Sequence, residues 1–300
     1  MIYTVTFSPA VDYIVDLDNL QLNAINRSKA EKVLPGGKGI NVSIVLNNLG
    51  SSSVATGFVG GFTGTYIENE LTKDGVKVDF VHLEENTRIN VKVRGKGGET
   101  AINGNGPSIP DDKIEELMKK LSLLKDGDTL VISGTVPSTL PSNIYELILE
   151  RLKDKKLELI IDSNKDILLK TLKYHPFLVK PNDEELEEMF GVKIHNDEEL
   201  ISTAKKLLEL GSQNVIVSLG GDGALLVNNE TTLKLSAPQG HVVNTVGAGD
   251  SLVAGFIDEY VRSHDVVKAF KQGIATGSAS AFSENLAVKE DVEKLLQTIK

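Results

Sequence analysis

Residues 128–163 read DTLVISGTVPSTLPSNIYELILERLKDKKLELIIDS. The run "DTLVISG" is a short buried strand, "NIYELILERLKD" a helix and "LELIIDS" a second strand. Near-continuous apolar strands of this kind are buried on both faces, which requires a sheet covered by helices on either side. A strand, a crossing helix and another strand form the repeating unit of a parallel sheet.

The same alternation extends outward in both directions. "IYTVTFS" (2–8) and "SVATGFVG" (53–60) read as strands, and "INVSIVLNNLG" (40–50) as a helix. In that helix Val42, Val45, Leu46 and Leu49 recur at helical spacing and Gly50 is a natural stop. "IEELMKKLSLL" (114–124) is an amphipathic helix. After the opening unit come strand "FLVKPN" (177–182), helices "EELEEMFG" (184–191) and "ELISTAKKLLELG" (199–211), and strands "NVIVSLG" (214–220) and "ALLVNN" (224–229). The expectation is a doubly wound, mostly parallel α/β sheet in one domain spanning 1–300.

Two regions break the alternation, about 10–36 and 88–105, and both read as extended chain. In "RINVKVRG", Ile89, Val91 and Val93 fall on one face and Asn90, Lys92 and Arg94 on the other. "GKGGET" then turns the chain into a hairpin. These regions are expected to form a small β-sheet that serves as a lid, as an interface, or as both. Its apolar face needs cover, and a homodimer through the lid would supply it.

Composition narrows the function classes. The chain has no cysteine, which removes disulfides and thiolate chemistry and suits a reducing compartment. A formal net charge of −10 argues against nucleic-acid or membrane-surface binding. No segment reaches the ~18 consecutive apolar residues of a membrane span, and the N-terminal run lacks the pattern of a signal peptide. A cytoplasmic protein is expected. The histidines, at 82, 175, 195, 241 and 264, are scattered without metal-ligand spacing. Neither "GK" fits a Walker A loop, and "GGFTG" (60–64) is late and incomplete for a dinucleotide fingerprint.

The loop "VGAGD" (246–250) carries more. Gly247, Ala248 and Gly249 permit close backbone approach, and "SLVAGFIDEYV" behind them can be helical. Backbone N–H groups and the helix dipole then face the loop, an anion hole fit for a moving phosphoryl group. Asp250 at its edge can accept a proton from an attacking hydroxyl. Taken alone, it is better read as a helix cap.

Other constellations have paired readings too. In "PGGKGIN" (35–41), Gly37 and its neighbours bring backbone to a ligand, Lys38 can meet an anion and Asn41 can bridge hydroxyls. A plain glycine turn into a helix explains the same letters. Asp12 can accept hydrogen bonds from sugar hydroxyls, or can simply be a solvated strand residue. Arg88 in "TRINVK" can hold a phosphate in bidentate fashion, with Arg27 and Lys92 as weaker candidates. In "KPNDEEL" (180–186), Asn182 and Glu185 can support Mg2+ through its waters, or can form a capping box. "SLGGDGALLV" (218–227) can lie along a nucleotide, or be a tight hairpin.

Together these segments resemble the PfkB branch of the ribokinase-like sugar kinases. "GGKGIN" resembles the N-terminal signature of that family, "NTVGAGDSLVAGF" its C-terminal signature and "KPNDEE" its NxxE motif. The resemblance covers the whole chain. It implies a three-layer α/β/α sandwich with a small β-sheet lid and an ATP-dependent carbohydrate kinase. Asp250 would be its base, with Gly247, Ala248 and Gly249 forming the anion hole. Asp12, Gly37 and Asn41 would hold the sugar, and Lys38, Arg88 and Arg27 its existing phosphate. ATP would lie along Lys180, Asn182, Glu185, Ser218, Gly220, Gly221, Gly223 and Gly249, with Mg2+ at Asn182 and Glu185 through water. The adenine would sit near the helix around Gly273–Gly277. Within the family the chain looks most like the kinases of fructose 1-phosphate and tagatose 6-phosphate. Fructose 1-phosphate is the expected acceptor. Tagatose 6-phosphate or fructose 6-phosphate as acceptor, and a non-catalytic sugar-phosphate binder, are the alternatives. Ser8 departs from that group, which usually has Asn there.

Overall fold

The computed structural model describes residues 1–299. The chain begins with β1 (Ile2–Thr6), passes into β2 (Ala10–Asp16) and β3 (Ala30–Gly36), and returns through α1 (Lys38–Leu49) to β4 (Ser53–Gly60). Helix α2 (Gly61–Lys73) and the short β5 (Lys77–Val78) and β6 (Val81–Leu83) follow, then the hairpin β7 (Arg88–Gly95) and β8 (Gly98–Asn103). Next come α3 (Asp111–Leu121), β9 (Thr129–Ser133), α4 (Ile144–Leu152), β10 (Glu158–Asp162), α5 (Lys165–Thr171) and β11 (Leu178–Val179). Helices α6 (Asp183–Phe190) and α7 (Asp197–Glu209) lead to β12 (Asn214–Ser218), which turns back as β13 (Ala224–Asn228) and β14 (Thr232–Leu235). Three helices end the order: α8 (Ala248–Ser263), α9 (Val266–Ala281) and α10 (Lys289–Leu296).

The main sheet runs β14-β13-β12-β11-β10-β9-β1-β4-β5, with β6 also pairing β4. Its strand pairings are parallel except β12–β13 and β13–β14, which are antiparallel. Successive strand residues point to opposite faces, and both faces are covered. Leu130, Ile132, Ile161, Val215 and Val217 pack with apolar residues of α3 to α7. Val131, Ile160 and Ile216 pack with those of α1, α8, α9 and α10. This explains why the strands read as unbroken apolar runs. Each such side chain, once buried, contributes about 1.5–3 kcal/mol of transfer free energy.

Helix α8 is held especially close to α9. A Cβ added at Gly255 would lie 2.2 Å from Thr276 Oγ1, so only glycine permits this approach. The consequence is a fixed position for the N-terminus of α8. The stop at Gly50 is as expected: its φ is 99°, and its N–H caps the carbonyls of Leu46 and Asn47.

The two irregular regions form a separate four-stranded sheet, β3-β2-β7-β8. Strands β2 and β7 are parallel, which places Asp12 opposite Asn90. Val11 joins this sheet to the body by packing with Ile40, Val59, Ile67 and Phe80. Residues 17–29 are a loop between β2 and β3. Helices α2, α5 and α10 have no counterpart in the sequence reading. The first begins within the glycine-rich "GGFTG", and the other two have only seven and eight residues. The strand read over 177–182 shrinks to Leu178–Val179.

Candidate active site

The C-terminal ends of the parallel strands meet at one edge, where ligands bind in open α/β sheets. Thr6 ends β1, Ser133 ends β9, Asp162 ends β10 and Ser218 ends β12. Two cavities open along this edge, of about 420 Å³ and about 530 Å³. Lys180 and Gly249 line both.

Asp250 lines the first cavity and is 6% exposed. It sits within the first turn of α8, whose N-cap is Gly247 with a left-handed φ of 81° and no side-chain cap. The aspartate therefore caps nothing. Its Oδ2 accepts a hydrogen bond from Asn41 Nδ2 at 2.8 Å. Burial, and then the charge of Asp162, push its carboxyl up to about 6, against the opposing pull of Lys38, Asn41 and Lys180. The backbone N–H groups of Gly249 and Asp250 have no acceptor among the described residues, whereas that of Ala248 reaches the Thr245 carbonyl at 3.2 Å. These are the orphan donors that every helix start presents.

Asp162 is the main site residue that the sequence reading missed. It is 2% exposed at the end of β10. Its Oδ2 faces Lys38 Nζ at 3.3 Å and its Oδ1 faces Lys180 Nζ at 3.5 Å. Burial pushes its carboxyl upward, but Lys180 and Lys38 outweigh that and hold it below the ordinary range. Burial pulls the Lys38 ammonium down; Asp162, Asp250 and Glu185 together outweigh it and raise it. Thr6, Ser133, Gly134 and Thr135 also line the first cavity. The signal that would have found these residues is position alone, at the ends of neighbouring parallel strands.

The small sheet forms the opposite wall. Asp12 accepts from Asn90 Nδ2 and from Lys92 Nζ, both at 2.9 Å. Arg88 donates to the carbonyl oxygens of Ser8 at 3.0 Å, and of Pro9 and Gly104 at 3.4 Å. Burial lowers its pKa, and Asp12 opposes that. Asp12, Gly37, Lys38, Asn41, Arg88, Gly247, Gly249 and Asp250 thus share the first cavity, as does Ser8. Arg27 does not join them. It lies exposed on the loop between β2 and β3 and lines neither cavity.

The second cavity is lined by Lys180, Asn182, Ser218, Gly220, Gly221, Gly223, Ala248, Gly249 and Gly277. The "SLGGDGALLV" segment is the antiparallel pair β12–β13, joined by the 3-10 turn Gly220–Asp222. Asn182 and Glu185 make a full capping box: Asn182 Oδ1 accepts the Glu185 N–H at 2.7 Å, and Glu185 Oε2 accepts the Asn182 N–H at 2.9 Å. Glu185 lines neither cavity, and its Oε1 has no partner among the described residues. No cluster of three or more metal-ligating side chains occurs among those residues. The donor set fits a hard cation held by phosphate oxygens and waters, with at most one or two protein carboxylates.

Sequence and structure comparisons find relatives along nearly the whole chain. The profile of the pfkB family carbohydrate kinases matches residues 5–291. The 1-phosphofructokinase of Bacillus subtilis (strain 168) is 45% identical over 300 residues, covering 100% of this chain and 99% of its own. The D-tagatose-1-phosphate kinase of Bacillus licheniformis is 41% identical over 299 residues, 99% of this chain and 97% of its own. Phosphofructokinase-2 from Escherichia coli, in complex with substrates and products, has a TM-score of 0.93 at 28% identity, covering 99% of this chain and 98% of that one. No helix among the described residues is long and apolar enough to cross a membrane.

Proposed function

The chain belongs to the pfkB family of carbohydrate kinases, and from that premise we propose that it transfers the γ-phosphoryl group of ATP to fructose 1-phosphate, giving fructose 1,6-bisphosphate and ADP. The observation that carries this reading is Asp250. It is a buried carboxylate with a raised pKa and no capping role, in the cavity that also holds Asn41, Lys38 and Arg88.

The sugar phosphate occupies the first cavity. Asp12, Gly37 and Asn41 hold its hydroxyls, and Lys38 and Arg88 hold the phosphate already present. ATP occupies the second cavity along Ser218, Gly220, Gly221 and Gly223, with its phosphates toward Lys180 and Gly249. Asp250 takes the proton of the attacking hydroxyl as the new O–P bond forms and the bond to the ADP oxygen breaks. The N–H groups at the start of α8 stabilise charge on the moving phosphoryl group. Mg2+ would be supported through water by Glu185 and Asn182, and when bound it neutralises phosphate charge. The small sheet closes over the acceptor and keeps water from it.

Val33, Ile89 and Ile102 are exposed on one face of the small sheet, with Phe62 of α2 beside Val33 and Ile89. A second copy covering this face gives a homodimer. A monomer's mass by light scattering would remove that assignment.

A coupled ADP-release assay tests the reaction with fructose 1-phosphate, tagatose 1-phosphate, tagatose 6-phosphate, fructose 6-phosphate and ribose. Fructose 1-phosphate is expected to give the highest kcat/KM. Tagatose 1-phosphate is the second reading, favoured by the name of the Bacillus licheniformis relative. A preference for ribose or for either 6-phosphate refutes the assignment, and sugar binding without ADP release would mark a pure binder.

A further inference from the structure

Two hydroxyls converge on one carbonyl at the wall of the first cavity. Tyr145, in α4, donates to the Gly134 carbonyl oxygen at 2.7 Å, and Ser163, just after β10, donates to the same oxygen at 2.9 Å. Both residues are buried. A carbonyl oxygen has two lone pairs, and here both are taken. The Gly134 N–H is held as well, by the Asp162 carbonyl at 2.9 Å. Gly134 adopts a φ of 103°, a conformation open to glycine and to few other residues.

The peptide unit is planar and trans, so its C=O and N–H point in opposite directions. Holding the Gly134 oxygen on the Tyr145 and Ser163 hydroxyls turns the Thr135 N–H the other way. Gly134 and Thr135 line the first cavity, and the Thr135 N–H has no acceptor among the described residues. Next to it, Ser133 lines the same cavity, and its buried Oγ also lacks a partner. This corner thus carries unspent donors.

We propose that Tyr145 and Ser163 are positioning residues for the sugar phosphate: they fix the Gly134–Thr135 peptide so that its N–H meets an oxygen of the bound acceptor. The inference rests on the function proposed above. Neither hydroxyl touches the substrate. With both removed, the carbonyl is free to turn and the peptide samples both orientations.

The double variant Tyr145→Phe/Ser163→Ala tests this. The Tyr145 ring packs edge-on against Phe7 at 5.3 Å, and phenylalanine keeps that contact. The acceptor used is whichever sugar phosphate the wild type turns over best. Its KM, and its Kd by calorimetry, are expected to rise roughly tenfold, with kcat, the KM for ATP and Tm near wild type. A crystal structure of the variant reads the peptide without any substrate, and a turned or doubly oriented Gly134–Thr135 peptide is expected. An acceptor KM within about twofold of wild type, with the peptide unmoved, overturns the proposal. So does a rise in both KM values together with a fallen Tm, since that marks a merely structural role. If the wild type turns over no sugar phosphate, the proposed function has failed, and the peptide's orientation alone decides this inference.

Discussion

Asp12, Lys38, Arg88, Asp162, Lys180 and Asp250 line the first cavity, whereas Gly220, Gly221, Gly223, Gly240 and Gly277 are prominent in the second. The first is a surface of charged side chains delivered by separate elements. The second combines glycine backbone with apolar side chains such as Leu252, Ile274 and Phe282. Charge placed on side chains can discriminate between acceptors that differ in one phosphate or hydroxyl. Bare backbone can follow a nucleotide closely but reads little beyond its outline. Under the proposed function, the acceptor side is therefore where selectivity resides.

The most severe way to break that contrast is Asp250→Asn. Turnover is expected to fall by ~10²–10⁴-fold with the KM for ATP nearly intact. A variant that keeps more than about a tenth of wild-type kcat returns the residue to a structural role. The pH profile sharpens the same point. The folded-state pKa of Asp250 is about 6, so wild-type kcat/KM should fall as pH drops below that value, and the variant should lack this limb. Its contribution to stability has the opposite sign. Because the folded pKa is raised, protonation favours the folded state as pH falls through about 6 toward the ordinary carboxylate range. At neutral pH the buried charge opposes folding, and Asp250→Asn should raise Tm by a few degrees.

Arg88→Ala comes next. Losing charge-assisted hydrogen bonds should raise the KM for the sugar phosphate roughly 10- to 100-fold and leave that for ATP almost unchanged. Equal effects on both substrates would dissolve the division between the cavities. The smallest effect is expected from Gly221→Ala. A Cβ there meets nothing within 4 Å, so the fold should tolerate it. If the nucleotide runs along this backbone, the KM for ATP alone rises by roughly two- to fivefold. No change would place the nucleotide elsewhere.

The same contrast governs what was legible in the sequence. Part of the second cavity comes from short contiguous runs that stand out in the sequence, "SLGGDG", "KPN" and "VGAGD". The first is assembled by topology. Asp162 is one letter at the end of an apolar strand, and nothing local separates it from a solvated aspartate. Only the parallel pairing of β9 with β10, which sets Ser133 beside Asp162, brings it to the site. Arg27 is the reverse case: its charge was visible, but it lies on an exposed loop and lines neither cavity. At Asn182 and Glu185 the capping-box reading holds, and one carboxylate oxygen of Glu185 is left over. The layered fold was the most legible part, because burial on both faces writes itself along every strand.

Lys180 and Gly249 belong to both cavities, and Asp162 joins Lys180 to Lys38. The two compartments therefore share a wall whose charges neither ligand can use privately. A phosphate drawn to Lys180 from one side changes the field met by a phosphate arriving from the other. Thermodynamic linkage makes that influence mutual: whatever factor ATP imposes on the affinity of the sugar phosphate, the sugar phosphate imposes on ATP.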